Sequence, residues 1–189
     1  MTRTGKSAVG VIDMSEGNRS SYLPDHQPTN ETNRVNHLTT PTDIDRSAPV
    51  IANHEIDIAA SLDEVWQLHV NINAWPTWHH EVSIADLDGA FAPGHSFTWT
   101  SYDFTVTSTI YDVTDHSRTL WGGEAQGIMG THEWSFEQTD GGVHVATTES
   151  FAGAPVVADA ATFQGILDSS LTTWLNRLKE KAESALGEG

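Results

Sequence analysis

From Pro49 onward the apolar positions fall into regular patterns; before it they do not. Residues 50–58, Val50-Ile51-Ala52-Asn53-His54-Glu55-Ile56-Asp57-Ile58, partly alternate and predict a first strand. Ser61 stands three residues ahead of Glu64, a capping box, so a helix is predicted to start there. Leu62, Val65, Trp66, His69 and Val70 follow at helical spacing. Pro76, inside Ala74-Trp75-Pro76-Thr77-Trp78, interrupts any continuation and predicts a second short helix or turn. Six strands are expected next, over 81–87, 95–102, 104–113, 118–125, 130–138 and 142–151. Pro93-Gly94, Asp115-His116-Ser117, Gly127 and Asp140-Gly141-Gly142 mark the turns between them. Spacings this short imply antiparallel pairing rather than crossovers.

A long helix closes the pattern, over about residues 157–184. Phe163, Ile166, Leu167, Leu171, Trp174, Leu175 and Leu178 form one apolar stripe along it. Arg177, Lys179 and Lys181 lie in its last turns, where cations suit the helix dipole. The simplest way to bury both stripe and sheet is a curved antiparallel sheet with the long helix laid across its concave face.

Residues 1–48 are rich in Ser, Thr, Asn, Asp, Arg and Pro, and Tyr22 is their one aromatic. They read as a flexible N-terminal extension ahead of a domain over 49–189. The run Ala8-Val9-Gly10-Val11-Ile12 is too short for a signal-peptide core, so a cytoplasmic location is expected.

Composition narrows the chemistry. The chain has 189 residues, a mass of 20.6 kDa and a mean hydropathy of -0.35, which suits one globular domain. There is no cysteine, which excludes disulfides, thiolate catalysis and Cys-ligated metal centres. The formal net charge is -17. Residues 1–48 hold five basic and six acidic residues, whereas 49–189 hold four basic and 20 acidic ones. A domain with that balance repels nucleic-acid phosphates and anionic membranes. No apolar stretch is long enough to span a bilayer. Three of the four domain cations sit together near the C-terminus; Arg118 alone lies mid-chain. Imine chemistry and phosphoryl transfer, which need a cation inside the site, are therefore disfavoured.

The last hairpin carries the clearest chemical inference. If Asp140-Gly141 is a two-residue turn, Thr139 pairs with Gly142. Phe136 then faces Val145, Trp134 faces Thr147, and His132 faces Glu149. A slip of one residue would put the valines on the face opposite Trp134 and Phe136, so the apolar pattern selects the first register. It sets an imidazole beside a carboxylate on an apolar inner face. Two readings stand. The pair satisfies two buried polar groups, or Glu149 holds the His132 tautomer while the ring moves protons on a substrate. Burial would raise the carboxyl pKa and a neighbouring imidazolium would lower it. Ser150 points away, so a Ser-His-Glu triad is not expected.

Trp75, Trp78, His79 and His80 form a second cluster, and Trp99, Phe104, Tyr111 and Trp121 are strand aromatics. Each either packs in the core or faces a ligand. Adjacent histidines chelate poorly, and no second motif supports zinc at His132 and Glu149. No metal and no cofactor are expected. Gly122-Gly123 can bring a ligand close to the sheet.

This order of elements, with Ala59-Ala60-Ser61-Leu62-Asp63-Glu64-Val65-Trp66, Ile72-Asn73-Ala74-Trp75-Pro76-Thr77-Trp78, Gly130-Thr131-His132-Glu133-Trp134-Ser135-Phe136-Glu137 and Thr148-Glu149-Ser150-Phe151-Ala152-Gly153, then the closing Leu175-Asn176-Arg177-Leu178-Lys179, resembles the START-like superfamily. The likeness is to its polyketide cyclase/dehydratase-like branch and spans about residues 50–184. It implies an α+β helix-grip fold: about seven antiparallel strands wrapped around a long C-terminal helix, with two short helices after the first strand. It also implies a cavity between sheet and helix for an apolar or aromatic small molecule. The family has no single catalytic signature, and fold does not fix function.

The function expected is a cofactor-free enzyme, lyase or isomerase, that folds a polyketide-like or aromatic substrate and promotes cyclisation or dehydration. His132 would be its acid or base and Glu149 the orienting group. Trp75, Trp78, His79, Trp99, Phe104, Trp121, Trp134, Phe163, Leu167 and Leu171 would form the substrate-binding wall. The alternative is a non-catalytic carrier or sensor of a hydrophobic molecule, and a third reading is an interaction domain for a basic partner. A monomer or homodimer is expected.

Overall fold

The computed structural model describes residues 40–184. Seven strands form one antiparallel sheet: β1 Val50–Ile58, β2 Val82–Leu87, β3 Ser96–Ser101, β4 Phe104–Thr114, β5 Arg118–Ala125, β6 Ile128–Thr139 and β7 Gly142–Ala152. Their spatial order is β1-β7-β6-β5-β4-β3-β2, so the two strands adjacent in sequence at the start lie at opposite edges. The chain crosses between those edges through helix α1, Leu62–Val70, and a 3-10 helix, Ile72–Thr77. The Ser61 hydroxyl accepts from the Glu64 amide and the Glu64 carboxylate accepts from the Ser61 amide, closing the capping box. Two further helices follow the sheet: α2, Ala154–Ala158, and α3, Ala160–Ser184.

The single helix expected over 157–184 is thus broken near its start. Asp159 leaves helical backbone, with φ -148 and ψ 62, and its carboxylate accepts from the Thr162 amide 3.2 Å away. An aspartate in that role caps a new helix rather than continuing the old one.

α3 lies along β1 at the sheet edge. His54 Nε2 meets Asp168 Oδ1 at 3.0 Å, and the Gln164 amide donates to the Ile51 carbonyl at 3.1 Å. Leu167 and Leu171 pack there against Val50, Ala52 and Val156 in a small core. A larger core fills the other half of the molecule, where Trp66, Trp75, Trp134 and Trp174 meet Phe97, Phe136 and Leu178. Each fully buried side chain of this size contributes roughly 1.5–3 kcal/mol.

The extension expected over 1–48 needs a correction at its C-terminal end. Residues 1–39 lie outside the described residues, but 40–48 pack on the outer face of the sheet. Ile44 is buried, the Asp45 amide donates to Ser150 Oγ at 3.1 Å, and Arg118 Nη2 donates to the Thr42 carbonyl at 3.1 Å. One apolar side chain among polar neighbours gave no periodicity to read. The same contacts settle Arg118, which also pairs with Asp112 and Glu133 rather than entering a site.

Candidate active site

Strands β3 to β7 and α3 enclose a cavity of about 800 Å³. That volume suits a small organic ligand. Its sheet wall carries Trp99, Phe104, Val106, Trp121 and Phe151, and its helix wall carries Phe163, Ile166 and Trp174. Between these, Gly165, Ser169, Ser170 and Thr173 line the helix side. Small side chains facing the sheet leave the space that larger ones would fill. Tyr102 at the β3–β4 turn, Gln126 at the β5–β6 turn and Ile166 border the cavity and are exposed, which locates its mouth. Tyr102 and Gln126 both hold left-handed backbone, with φ 52 and 54. Non-glycine residues in that region carry strain that the surrounding structure must offset.

Gly122 and Gly123 border the cavity too, but the strands dictate them. A Cβ at Gly122 would lie 2.3 Å from the Gly130 carbonyl oxygen, and one at Gly123 2.2 Å from the Thr107 carbonyl oxygen. No other residue fits such an approach.

The β6–β7 pairing is the predicted one: Thr139 pairs with Gly142, Trp134 with Thr147, and His132 with Glu149. His132 is buried, and the Glu149 side chain is 13% exposed. Both border the cavity. The hydrogen bonds fix the imidazole. Thr147 donates its hydroxyl hydrogen to the Glu133 carbonyl at 3.1 Å, so it accepts from His132 Nε2, 2.6 Å away. The ring proton therefore sits on Nε2. Nδ1 is left with a lone pair, and it faces Glu149 Oε2 at 3.5 Å.

A lone pair toward a carboxyl oxygen is stable when the carboxyl keeps its proton, and the electrostatics agree. Burial pushes the Glu149 pKa up from 4.5 to about 8. Burial, with His69 nearby, holds His132 well below its usual range. At neutral pH the pair is a neutral imidazole and a carboxylic acid. Thr147, not Glu149, is thus the group that holds the ring. It reaches His132 diagonally across the hairpin while standing directly opposite Trp134.

A second polar region borders the cavity at His79 and Glu81. Arg177 grips Glu81 with two bonds, Nη2 to Oε1 at 2.9 Å and Nε to Oε2 at 3.2 Å. That keeps the Glu81 carboxyl below its usual range. The His79 ring lies 3.9 Å from the Trp174 ring and its Nδ1 is 3.3 Å from Glu81 Oε2. Burial lowers the His79 pKa to about 4. Neither His79 nitrogen makes a hydrogen bond, and neither does Trp121 Nε1. His80 is exposed.

The wall differs from the sequence expectation at five positions. Trp75, Trp78, Trp134, Leu167 and Leu171 do not border the cavity; all five are buried in the two cores. Trp75 is held at the centre, its Nε1 donating to the His69 carbonyl at 3.0 Å and its ring 4.8 Å from Trp174. The leucines point from α3 to β1. His132, Glu149, His79, Trp99, Phe104, Trp121 and Phe163 do border the cavity. Sequence reasoning missed Glu81, Thr147 and the small polar residues of α3. The last gave no signal to read, since serine and threonine at helical spacing are not apolar and stand apart from the stripe. Trp174 belonged to the stripe, but nothing in the spacing separated it from the leucines beside it.

Among the described residues, no group of three histidine or acidic side chains is arranged to hold a metal ion, and no helix is long and apolar enough to cross a membrane. Comparison with known proteins gives one family model and many solved structures of similar fold. The family model described as "Polyketide cyclase / dehydrase and lipid transport" matches residues 49–183. A search of curated proteins gives no match. Among solved structures, the hypothetical protein jhp0584 from Helicobacter pylori aligns with 19% identity and a TM-score of 0.64, over 77% of this chain and 99% of that one. A START superfamily protein from Mycobacterium smegmatis aligns with 10% identity and a TM-score of 0.60, over 71% and 98%. The di-domain ARO/CYC BexL from the BE-7585A biosynthetic pathway aligns with 17% identity and a TM-score of 0.59, over 70% of this chain and 50% of that one. At these identities the likeness is one of fold, and the fold is the START-like helix grip.

Proposed function

The chain belongs to the polyketide cyclase / dehydrase and lipid transport family, and we propose that it binds an aromatic or polyketide-like small molecule in the cavity and promotes its dehydration or cyclisation. The observation that carries this reading is the Glu149–His132 pair, a carboxylic acid backed by a neutral imidazole, bordering a largely apolar cavity. A carboxyl whose pKa stands near 8 can both give and take a proton close to neutrality. Residues 49–189 form the ligand domain in this reading, with 40–48 as its outer brace.

The roles expected from sequence are exchanged. Glu149 acts on the substrate; His132 faces its carboxyl through Nδ1 and is itself held by Thr147. In a dehydration, Glu149 gives its proton to the leaving hydroxyl of a β-hydroxy ketone. The carbon–oxygen bond breaks and water departs. The resulting carboxylate takes the proton from the carbon next to the ketone, whose electron pair becomes the new carbon–carbon double bond. Glu149 ends as it began. In a cyclisation the same acid donates to the ketone oxygen while the wall holds the chain folded.

The test is dehydration of 4-hydroxy-4-(6-methoxy-2-naphthyl)butan-2-one, followed by the absorbance of its enone. Wild-type protein should exceed buffer, and Glu149→Gln should lose roughly 100-fold or more of that rate. Equal rates for wild type, Glu149→Gln and His132→Ala would end the acid–base part.

The "lipid transport" half of the family description supports a second reading, a carrier or sensor with the same cavity. Mass spectrometry of a molecule that co-purifies, unchanged after incubation, would favour it.

A further inference from the structure

Of the three histidines buried among the described residues, two bring a ring nitrogen to a threonine hydroxyl: His69 Nε2 lies 2.9 Å from Thr119 Oγ1 and His132 Nε2 lies 2.6 Å from Thr147 Oγ1. His79 does not. It is 1% exposed, it borders the cavity, and neither of its nitrogens has a hydrogen-bond partner among the described residues. A buried polar atom left unpaired costs stability, so its retention calls for a use. The residue is nevertheless held firmly. Its amide donates to the Trp75 carbonyl at 2.8 Å, and its carbonyl accepts from the Val82 amide at 2.9 Å. The Trp174 ring centre lies 3.9 Å from its own.

The charged groups around the ring set its tautomer. Nδ1 lies 3.3 Å from Glu81 Oε2, within reach of a hydrogen bond but not aligned for one. Glu81 is a carboxylate, because Arg177 from α3 donates to both its oxygens, at 2.9 and 3.2 Å. Arg177 also donates to Glu180 at 3.0 Å, and His80, next along the chain, is exposed. A carboxylate beside Nδ1 favours the ring proton on that nitrogen. Nε2 then carries the lone pair, and no group among the described residues uses it. Burial keeps the ring neutral; the Glu81 charge acts in the opposite direction and favours an imidazolium once the ring gains a proton.

We propose that His79 is a second catalytic base of the cavity, taking a proton through Nε2 from a carbon beside a carbonyl group, with Glu81 as the positioning residue that sets its tautomer and stabilises the imidazolium. This rests on the reading of the cavity as a site of carbonyl chemistry. It supplies what the cyclisation lacks, a base at the nucleophilic carbon. Nε2 takes a proton from a carbon flanked by two carbonyl groups. The carbon–hydrogen electron pair forms the new carbon–carbon bond to another carbonyl carbon, whose π pair moves to its oxygen. That oxygen takes its proton from the acid named above, giving a β-hydroxy ketone. The imidazolium then gives its proton to water and the acid regains one, so both groups end as they began.

Exchange of hydrogen for deuterium at the acetyl methyl of 6-acetyl-2-naphthol tests it, because that reaction needs a base and no ring closure. Binding is read first, from the fluorescence of the naphthol. Loss of the methyl signal in heavy water is then followed by NMR with the protein in excess. Wild-type protein should exceed buffer. His79→Gln and His79→Ala should still bind the naphthol but lose roughly 100-fold of the exchange rate. Glu81→Gln should lose roughly tenfold. Free imidazole should restore exchange in His79→Ala by roughly tenfold, and not in His79→Gln, whose side chain fills the space. Naphthol that binds wild type yet exchanges no faster than in buffer overturns the proposal, as does exchange in His79→Gln equal to wild type. Loss in both variants without rescue, or variants that no longer bind the naphthol, makes His79 a packing residue and overturns it as well. Each of these leaves the cavity of the wild type a binding site. Failure of the wild type to bind the naphthol refutes the binding reading itself, and this proposal with it.

Discussion

Replacing Glu149 with glutamine should change how stability depends on pH, not merely its size. In the folded protein Glu149 holds its proton up to about pH 8, whereas an unfolded chain releases it near the ordinary 4.5. Above the unfolded value the unfolded state binds fewer protons than the folded one. Stability from this group is therefore complete below about pH 4.5 and is lost as pH rises, until the folded carboxyl ionises near pH 8. The slope is about 1.4 kcal/mol per pH unit, and the whole loss is on the order of 5 kcal/mol. At pH 7 roughly 3 kcal/mol of it has accrued, a large part of a typical domain's stability. Glutamine has nearly the same shape and never ionises, so it removes this dependence. Urea unfolding of both proteins at half-unit steps from about pH 5 to about pH 9 gives the difference directly, with every other titrating group cancelling. The variant should gain on the wild type by roughly 1 kcal/mol or more per pH unit, then level off above about pH 8. A difference that stays within about 0.5 kcal/mol across the series would refute the claim that Glu149 is protonated in the folded protein.

Thr147→Val removes the acceptor for His132 Nε2 without changing shape, and should cost about 1–3 kcal/mol in urea unfolding, with Thr147→Ser restoring most of it. Ile44→Ala should cost about 2–4 kcal/mol, and limited proteolysis should then cut within residues 40–48 while the sheet stays intact. Gly123→Ala forces a Cβ against the Thr107 carbonyl and should destabilise by more than roughly 2 kcal/mol, seen as a lowered Tm. Ser170→Phe should leave urea stability within about 0.5 kcal/mol but abolish binding of 6-acetyl-2-naphthol, because it fills space rather than removing packing. On the acid side, burial lowers the His69 pKa to about 3, so stability from that group is present above about pH 6.5 and is lost as pH falls; His69→Gln should unfold at lower pH than the wild type.

Periodicity and turn chemistry determined the elements and the register of the last hairpin. Strict alternation on β6 and β7, joined by Asp140-Gly141, admits one pairing that keeps Trp134, Phe136 and Val145 on one face, and that pairing brings His132 to Glu149. The capping box at Ser61 likewise fixed where α1 begins. These are local effects, set by residues a few positions apart. Three things required the folded chain. Which flank of α3 faces the cavity depends on how the helix rolls against β1, and a stripe wide enough to serve two cores does not state its roll. The state of Glu149 depends on burial and on a tautomer set by Thr147, a diagonal neighbour whose role only packed geometry reveals. The 40–48 segment and Glu81 matter through distant partners, Asp45 with Ser150 and Glu81 with Arg177, the latter 96 residues on. Local pattern speaks for short-range order; desolvation and long-range pairing belong to the assembled interior.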